Sequence, residues 1–286
     1  MRDIRRIGII GCGTMGAGIA TACASADLQV RVVTSNPMSV PVAERRLRSL
    51  LDRQVRKGTL GAEERDRRLA RIVVSAELES LADRQLVIEA VTEQESTKVE
   101  LFAALSKVVR DDSAVLASNT SSIPITRLAR ATDRPEKVIG IHFFNPVPVM
   151  PLVELVTSLF TASETIRRAE EFAVGALGKK TISVTDRAGF VVNALLIPYL
   201  LSAVRMVEAG YATAETVDRA MTLGCAHPMG PLALVDLIGL DTVAAIATAL
   251  HEEFGEPSYA PPPLLRRMVE AGRLGRKSGG GFHPAG

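Results

Sequence analysis

The stretch Arg6-Ile7-Gly8-Ile9-Ile10-Gly11-Cys12-Gly13-Thr14-Met15-Gly16 decides the fold. Residues 6–10 form a short, mostly apolar run of the kind that makes a buried strand, and it passes straight into the pattern G-x-G-x-x-G. In that pattern Gly11 permits the tight turn, Gly13 lets the backbone approach a pyrophosphate, and Gly16 lets the next helix pack on the strand. Thr14 and Met15 open that helix, whose free amides and partial positive charge favour phosphate. Such a loop is weak on its own. Its place after a strand and before an apolar helix makes it a dinucleotide-binding signal.

Outward from the loop, short apolar runs alternate with longer helical patterns. Residues 29–33, 71–74, 86–89, 114–117, 138–142 and 152–156 read as further strands, and 14–26, 43–56 and 97–110 as helices. This alternation predicts an α/β fold, a Rossmann-type, mostly parallel sheet covered on both faces. Beyond Asp186 the pattern turns helical, over 191–208, 214–223, 231–253 and 264–271. Pro231 suits a helix start, Gly210 and Gly272 suit helix exits, and Pro198 is expected to kink the helix that contains it. Two domains are therefore expected: residues 1–186 for dinucleotide binding and 187–286 as a helical C-terminal domain.

Composition excludes several classes. Hydrophobic residues make up 47% of the 286, which supplies a core and excludes disorder as the main state. The net charge is only +2 and aromatics are 4% with no tryptophan, so no nucleic-acid partner is expected. Three scattered cysteines provide neither a disulfide framework nor a thiolate metal site, and the four histidines lack metal-ligand spacing. Residues 7–26 carry no charge and imitate a signal peptide, but five glycines make a poor hydrophobic helix. A cytoplasmic protein without membrane attachment is the expectation.

A dinucleotide site of this kind usually has an acid at the end of the second strand, on the adenosine ribose. Thr34 stands there, followed by Ser35 and Asn36. A carboxylate would repel a 2′-phosphate and these residues would not, so NADP is expected beside NAD, with Arg45 and Arg46 near enough in sequence to assist.

Further segments carry a resemblance. They are Ser118-Asn119-Thr120-Ser121-Ser122, Gly140-Ile141-His142-Phe143-Phe144-Asn145-Pro146, Leu152-Val153-Glu154, Asp186-Arg187-Ala188-Gly189-Phe190-Val191-Val192-Asn193, His227-Pro228-Met229-Gly230-Pro231 and Gly275-Arg276-Lys277-Ser278-Gly279. Together with the glycine loop, and in this order over essentially the whole chain, they closely resemble the 3-hydroxyacyl-CoA dehydrogenase family. The resemblance implies an acyl-CoA thioester substrate, a homodimer formed by the helical domain, and a cleft between the domains. By motif, His142 resembles the family's catalytic histidine and Glu154 its carboxylate partner. Ser121 and Asn193 resemble the residues that hold the reacting oxygen. Glu93, Lys98, Asn145 and Lys277 match contacts to the nicotinamide half of the cofactor, and Lys57 resembles a coenzyme A contact.

The chemistry agrees. Oxidising an alcohol needs a base for the hydroxyl proton, and imidazole titrates near neutral pH. A carboxylate on the other ring nitrogen fixes the tautomer and stabilises the imidazolium. Three departures from the family pattern stand out: Thr34 for the acid, Ala188 for a proline and Ala194 for an arginine. Between Arg45 and Arg71 lie ten basic residues, read as a solvated helical face, a hold on coenzyme A phosphates, or a patch for an acidic acyl carrier protein. Two alternatives thus stand beside the coenzyme A enzyme: a carrier-protein-linked dehydrogenase of a biosynthetic pathway, and a catalytically silent structural member of the family.

Overall fold

The computed structural model describes residues 3–284. They fall into two units, divided between Asp186 and Arg187. The first holds one sheet of eight strands: β1 (Arg6–Ile10), β2 (Gln29–Val33), β3 (Ile72–Ser75), β4 (Leu86–Glu89), β5 (Val115–Ser118), β6 (Val138–Phe143), β7 (Leu152–Thr157) and β8 (Lys180–Thr185). Their order is β3-β2-β1-β4-β5-β6-β7-β8, with every neighbouring pair parallel except β6 and β7. The first six strands thus follow the doubly wound order in which β1 and β4 flank the switch point, where ligands bind beyond the carboxyl ends of the strands.

The helices of this unit are α1 (Thr14–Ser25), α2 (Val40–Arg56), α3 (Ala62–Ala70), α4 (Glu95–Val108), α5 (Ile125–Arg130) and α6 (Ser163–Glu170), the last running on into a π-helical turn over Glu171–Ala176. Strands β4, β5 and β6 are buried along their whole length because helices cover both faces. That is why they read as unbroken apolar runs rather than alternating ones. Ile7, Ile9, Ile19, Val32, Ile88, Val115, Ile141 and Leu155 centre the core. Seven of the eight strands match the sequence reading to within one residue at each end.

The second unit consists of α7 (Val192–Glu208), α8 (Ala214–Gly224), α9 (Pro231–Ile238), α10 (Leu240–Phe254) and α11 (Pro263–Glu270). The single helix expected over 231–253 is two helices bent by 96°. Gly239 between them has φ +104°, a conformation that L side chains rarely adopt and that interrupts the helical ladder. Gly210 and Gly272 do end helices with positive φ, at +69° and +74°. Leu200, Leu201, Val204, Leu232, Val235, Val243 and Leu250 form a separate core. Among the described residues no single helix is long and apolar enough to cross a membrane; the bent pair α9–α10 reaches that apolarity only jointly, and it buries its apolar face in this core.

Candidate active site

The antiparallel pairing of β6 with β7 sets His142 opposite Glu154. The imidazole Nδ1 lies 2.7 Å from Glu154 Oε2, the carboxylate is wholly buried and the histidine is 4% exposed. A carboxylate only accepts, so Nδ1 carries the proton and Nε2 presents its lone pair. Ser121, in the loop after β5, donates its hydroxyl to that Nε2 at 3.0 Å. Phe144 packs edge-on against the ring at 4.7 Å between centroids. Hydroxyl, imidazole and carboxylate therefore form one directed relay at the carboxyl edge of the sheet.

The loop carrying Ser121 is held from below by Glu93. Its Oε1 accepts from the amides of Ser121 at 2.8 Å and Ser122 at 3.2 Å, from the Ser122 hydroxyl, and from the Thr120 hydroxyl. Its Oε2 lies 3.1 Å from the Lys98 amine. Burial raises the Glu93 pKa, but the Lys98 charge and the bonds from Thr120 and Ser121 outweigh it and hold the carboxyl below its usual range. Lys98 in turn reaches Glu89 at 2.6 Å, with both side chains almost fully excluded from solvent. Removing one partner of such a buried pair typically costs about 3–5 kcal/mol. Asn119 stitches the same loop to β6 by accepting from the Phe143 amide at 2.9 Å.

The glycine loop has the shape a dinucleotide requires. Gly11 has φ +90°, and a Cβ there would lie 2.6 Å from the Ala90 carbonyl at the end of the neighbouring strand. A Cβ on Gly16 would collide with the Gly11 carbonyl. Gly13, by contrast, is exposed and has nothing within 4 Å of where a Cβ would stand, so the approach to the first amides of α1 is open. Thr14 is exposed beside it, Met15 packs partly against the core, and no acid stands in the first turn. This donor set fits a pyrophosphate. Burial pushes the Cys12 thiol up to about 11 despite the opposing charge of Arg46.

The remaining residues named by the sequence divide into several surroundings. Thr34 is buried and turns its hydroxyl onto the carbonyls of Asn36 and Ser75, leaving Ser35 and Asn36 as the exposed groups on that rim. Asn145 is exposed in the loop after β6. Lys57 caps the C-terminus of α2, where Arg45, Arg46, Arg48, Arg53 and Arg56 are also exposed. The basic residues of α3 are instead drawn into ion pairs: Arg65 with Asp52 and Asp66, and Arg67 and Arg68 with Glu64. The ten-residue cluster is thus two faces, one neutralised and one not.

In the helical unit, Asn193 is the second residue of α7 and 9% exposed, and the Lys277 amine lies 2.6 Å from Asp241. Sequence reasoning missed Glu89, and it missed Lys179, a buried amine that donates to the carbonyls of Val147 and Met150 and so fixes the loop containing Asn145. The sequence shows Glu89 only as an acid ending the apolar strand Leu86-Val87-Ile88, nine residues before Lys98, which does not mark it as buried.

A hydroxyl–imidazole–carboxylate relay at the carboxyl edge of a dinucleotide-binding sheet defines, as a class, an oxidoreductase of alcohols and ketones. Known proteins narrow the class. The family model for the NAD binding domain of 3-hydroxyacyl-CoA dehydrogenase matches residues 6–187, and that for the C-terminal domain matches 189–284. The chain belongs to the 3-hydroxyacyl-CoA dehydrogenase family. It is 55% identical to a 3-hydroxybutyryl-CoA dehydrogenase of Mycobacterium tuberculosis over 98% of each chain. It is 38% identical to the human mitochondrial hydroxyacyl-coenzyme A dehydrogenase over 98% of this chain and 91% of that one. The crystal structure of M. tuberculosis FadB2 superposes with a TM-score of 0.98 at 54% identity, covering both chains completely.

Proposed function

We propose that this enzyme interconverts (3S)-3-hydroxyacyl-CoA and 3-oxoacyl-CoA with NAD, on short acyl chains such as the 3-hydroxybutyryl group named in its relatives. The observation that carries the reading is the relay from Ser121 through His142 to Glu154. A bound nicotinamide would supply the hydride acceptor for the alcohol carbon. His142 Nε2 takes the hydroxyl proton, and Glu154 stabilises the resulting imidazolium through Nδ1. In reduction the same proton returns to the oxygen. Ser121 Oγ, free to turn from Nε2 to the substrate, holds that oxygen, with Asn193 as the second donor; one such donor is typically worth about 2.7–4 kcal/mol in the transition state. Gly11, Gly13, Thr14, Met15 and Gly16 take the pyrophosphate, and Glu93, Lys98, Asn145 and Lys277 serve the nicotinamide half. Replacing His142 by Gln is expected to abolish turnover while leaving NADH affinity nearly intact; near-normal turnover overturns the reading.

NADP is part of this proposal. No carboxylate stands at residues 34–36, Ser35 and Asn36 are exposed, and the Arg46 guanidinium donates to the Cys12 carbonyl at 3.2 Å, beside the glycine loop. Comparing kcat/KM for NADH and NADPH tests it, and a large advantage for NADH overturns it. The exposed basic face of α2, including Lys57, supports anchoring of the carrier's phosphates, and it equally suits an acyl carrier protein. Kinetics with one acyl group on both carriers separate these, with coenzyme A the expected preference. Homodimerisation through the helical unit is proposed from the family, supported by the exposed Leu195, Leu223 and Tyr211. A cytoplasmic setting is proposed too, in line with three unpaired thiols, one of them inside the core at Cys23.

A further inference from the structure

We infer that Glu89 is a positioning residue for the reacting oxygen, acting through the loop that carries Ser121; this rests on the part proposed above for that hydroxyl. Glu89 ends β4 at the switch point, beside Ser118 in the register of β4 with β5. It is fully buried, and two of its side-chain partners, Ser118 and Lys98, lead to the same loop. Its Oε2 accepts from the Ser118 hydroxyl at 2.6 Å, and that hydroxyl accepts from the Thr120 amide at 3.1 Å. Its Oε1 accepts from the Lys98 amine at 2.6 Å and from the Val91 amide at 2.7 Å. Lys98 then presents its charge to Glu93, whose other oxygen holds the Ser121 and Ser122 amides.

Two routes therefore run from one carboxylate to one turn of backbone, through Ser118 and through Lys98. A buried amine placed there only for packing would be a poor choice, because it needs a permanent counter-charge. What this arrangement adds is orientation: Lys98, neutralised by Glu89, is fixed where it locks Glu93 under the loop. The Ser121 hydroxyl is then held against His142 Nε2 at 3.0 Å. Glu89 never touches the substrate in this scheme.

The test is a cycle of four enzymes: wild type, Glu89→Gln, Ser121→Ala and the double variant. Each is assayed for reduction of 3-oxobutyryl-CoA and, by fluorescence titration, for NADH affinity. Glu89→Gln is expected to lower kcat on the order of tenfold, more than it changes NADH affinity, and that loss is expected to shrink to under about twofold once Ser121 is Ala. Ser118→Ala, which cuts one route without stranding a buried charge, is expected to show the same non-additivity if Glu89→Gln does not fold. An equal fall in both backgrounds, or an effect confined to NADH affinity, overturns the inference alone. A Ser121→Ala enzyme as fast as wild type overturns the part given to Ser121, and the inference with it.

Discussion

Two glutamates serve the relay, and they are built in opposite ways. Glu154 lies wholly inside the sheet and meets the ring nitrogen of His142. Glu93 stands at the rim with its side chain 40% exposed, and divides its oxygens among Thr120, Ser121, Ser122 and Lys98. In the proposed reaction the first fixes a tautomer and meets a charge that appears only as the proton moves. The second already has its counter-charge and fixes a piece of backbone. Electrostatic assistance to a transition state belongs where the charge develops, whereas a scaffold belongs where charge is balanced throughout.

Replacing Glu154 by Gln attacks the first directly. The amide is nearly isosteric but no longer enforces a proton on Nδ1, and kcat is expected to fall on the order of 10³–10⁴-fold, with NADH affinity unchanged, in steady-state and binding assays. Replacing Lys98 by Met strikes the scaffold instead. It strands Glu89 in the core, and urea unfolding is expected to show a loss of about 3–5 kcal/mol. Replacing Glu93 by Gln sharpens the contrast through pH. Because its folded pKa lies below the ordinary 4.5, the ionised Glu93 stabilises the fold above that value, and this contribution disappears as pH falls through the folded pKa. The stability difference between wild type and Glu93→Gln is thus expected to be level at neutral pH and to shrink below pH 4.5, measured by unfolding across a pH series. The smallest effect concerns thiols: at pH 8 iodoacetamide is expected to modify the exposed Cys225 and to spare Cys12, whose thiol sits near 11, as peptide mapping would show.

The same contrast marks what could be read from the sequence. His142 and Glu154 were picked out by the motifs that resemble the family, and they fall opposite each other because β7 runs back along β6. The glycine loop was legible because steric need at Gly11 and Gly16 leaves a fixed pattern. Glu89 was not, since an acid at a strand end normally faces water; its burial follows from β5 and α4 closing over it, which no local pattern states. Strand β8 escaped because it lies at the sheet's edge with no buried position along it, Ile182 being 37% exposed, so it lacks the apolar run of its neighbours. The break at Gly239 escaped for the converse reason. Both flanking helices bury apolar faces, and the hydrophobic rhythm continues across a glycine whose φ alone divides them.

One feature of the sheet reaches further than its topology. Strand β7 runs against β6, so the start of one and the end of the other lie at the same edge, joined by eight residues. His142 and Glu154 are consequently rungs of one ladder. Any breathing of this unit that leaves those two strands paired carries both groups as a single part, and the 2.7 Å contact between them is kept by the frame itself.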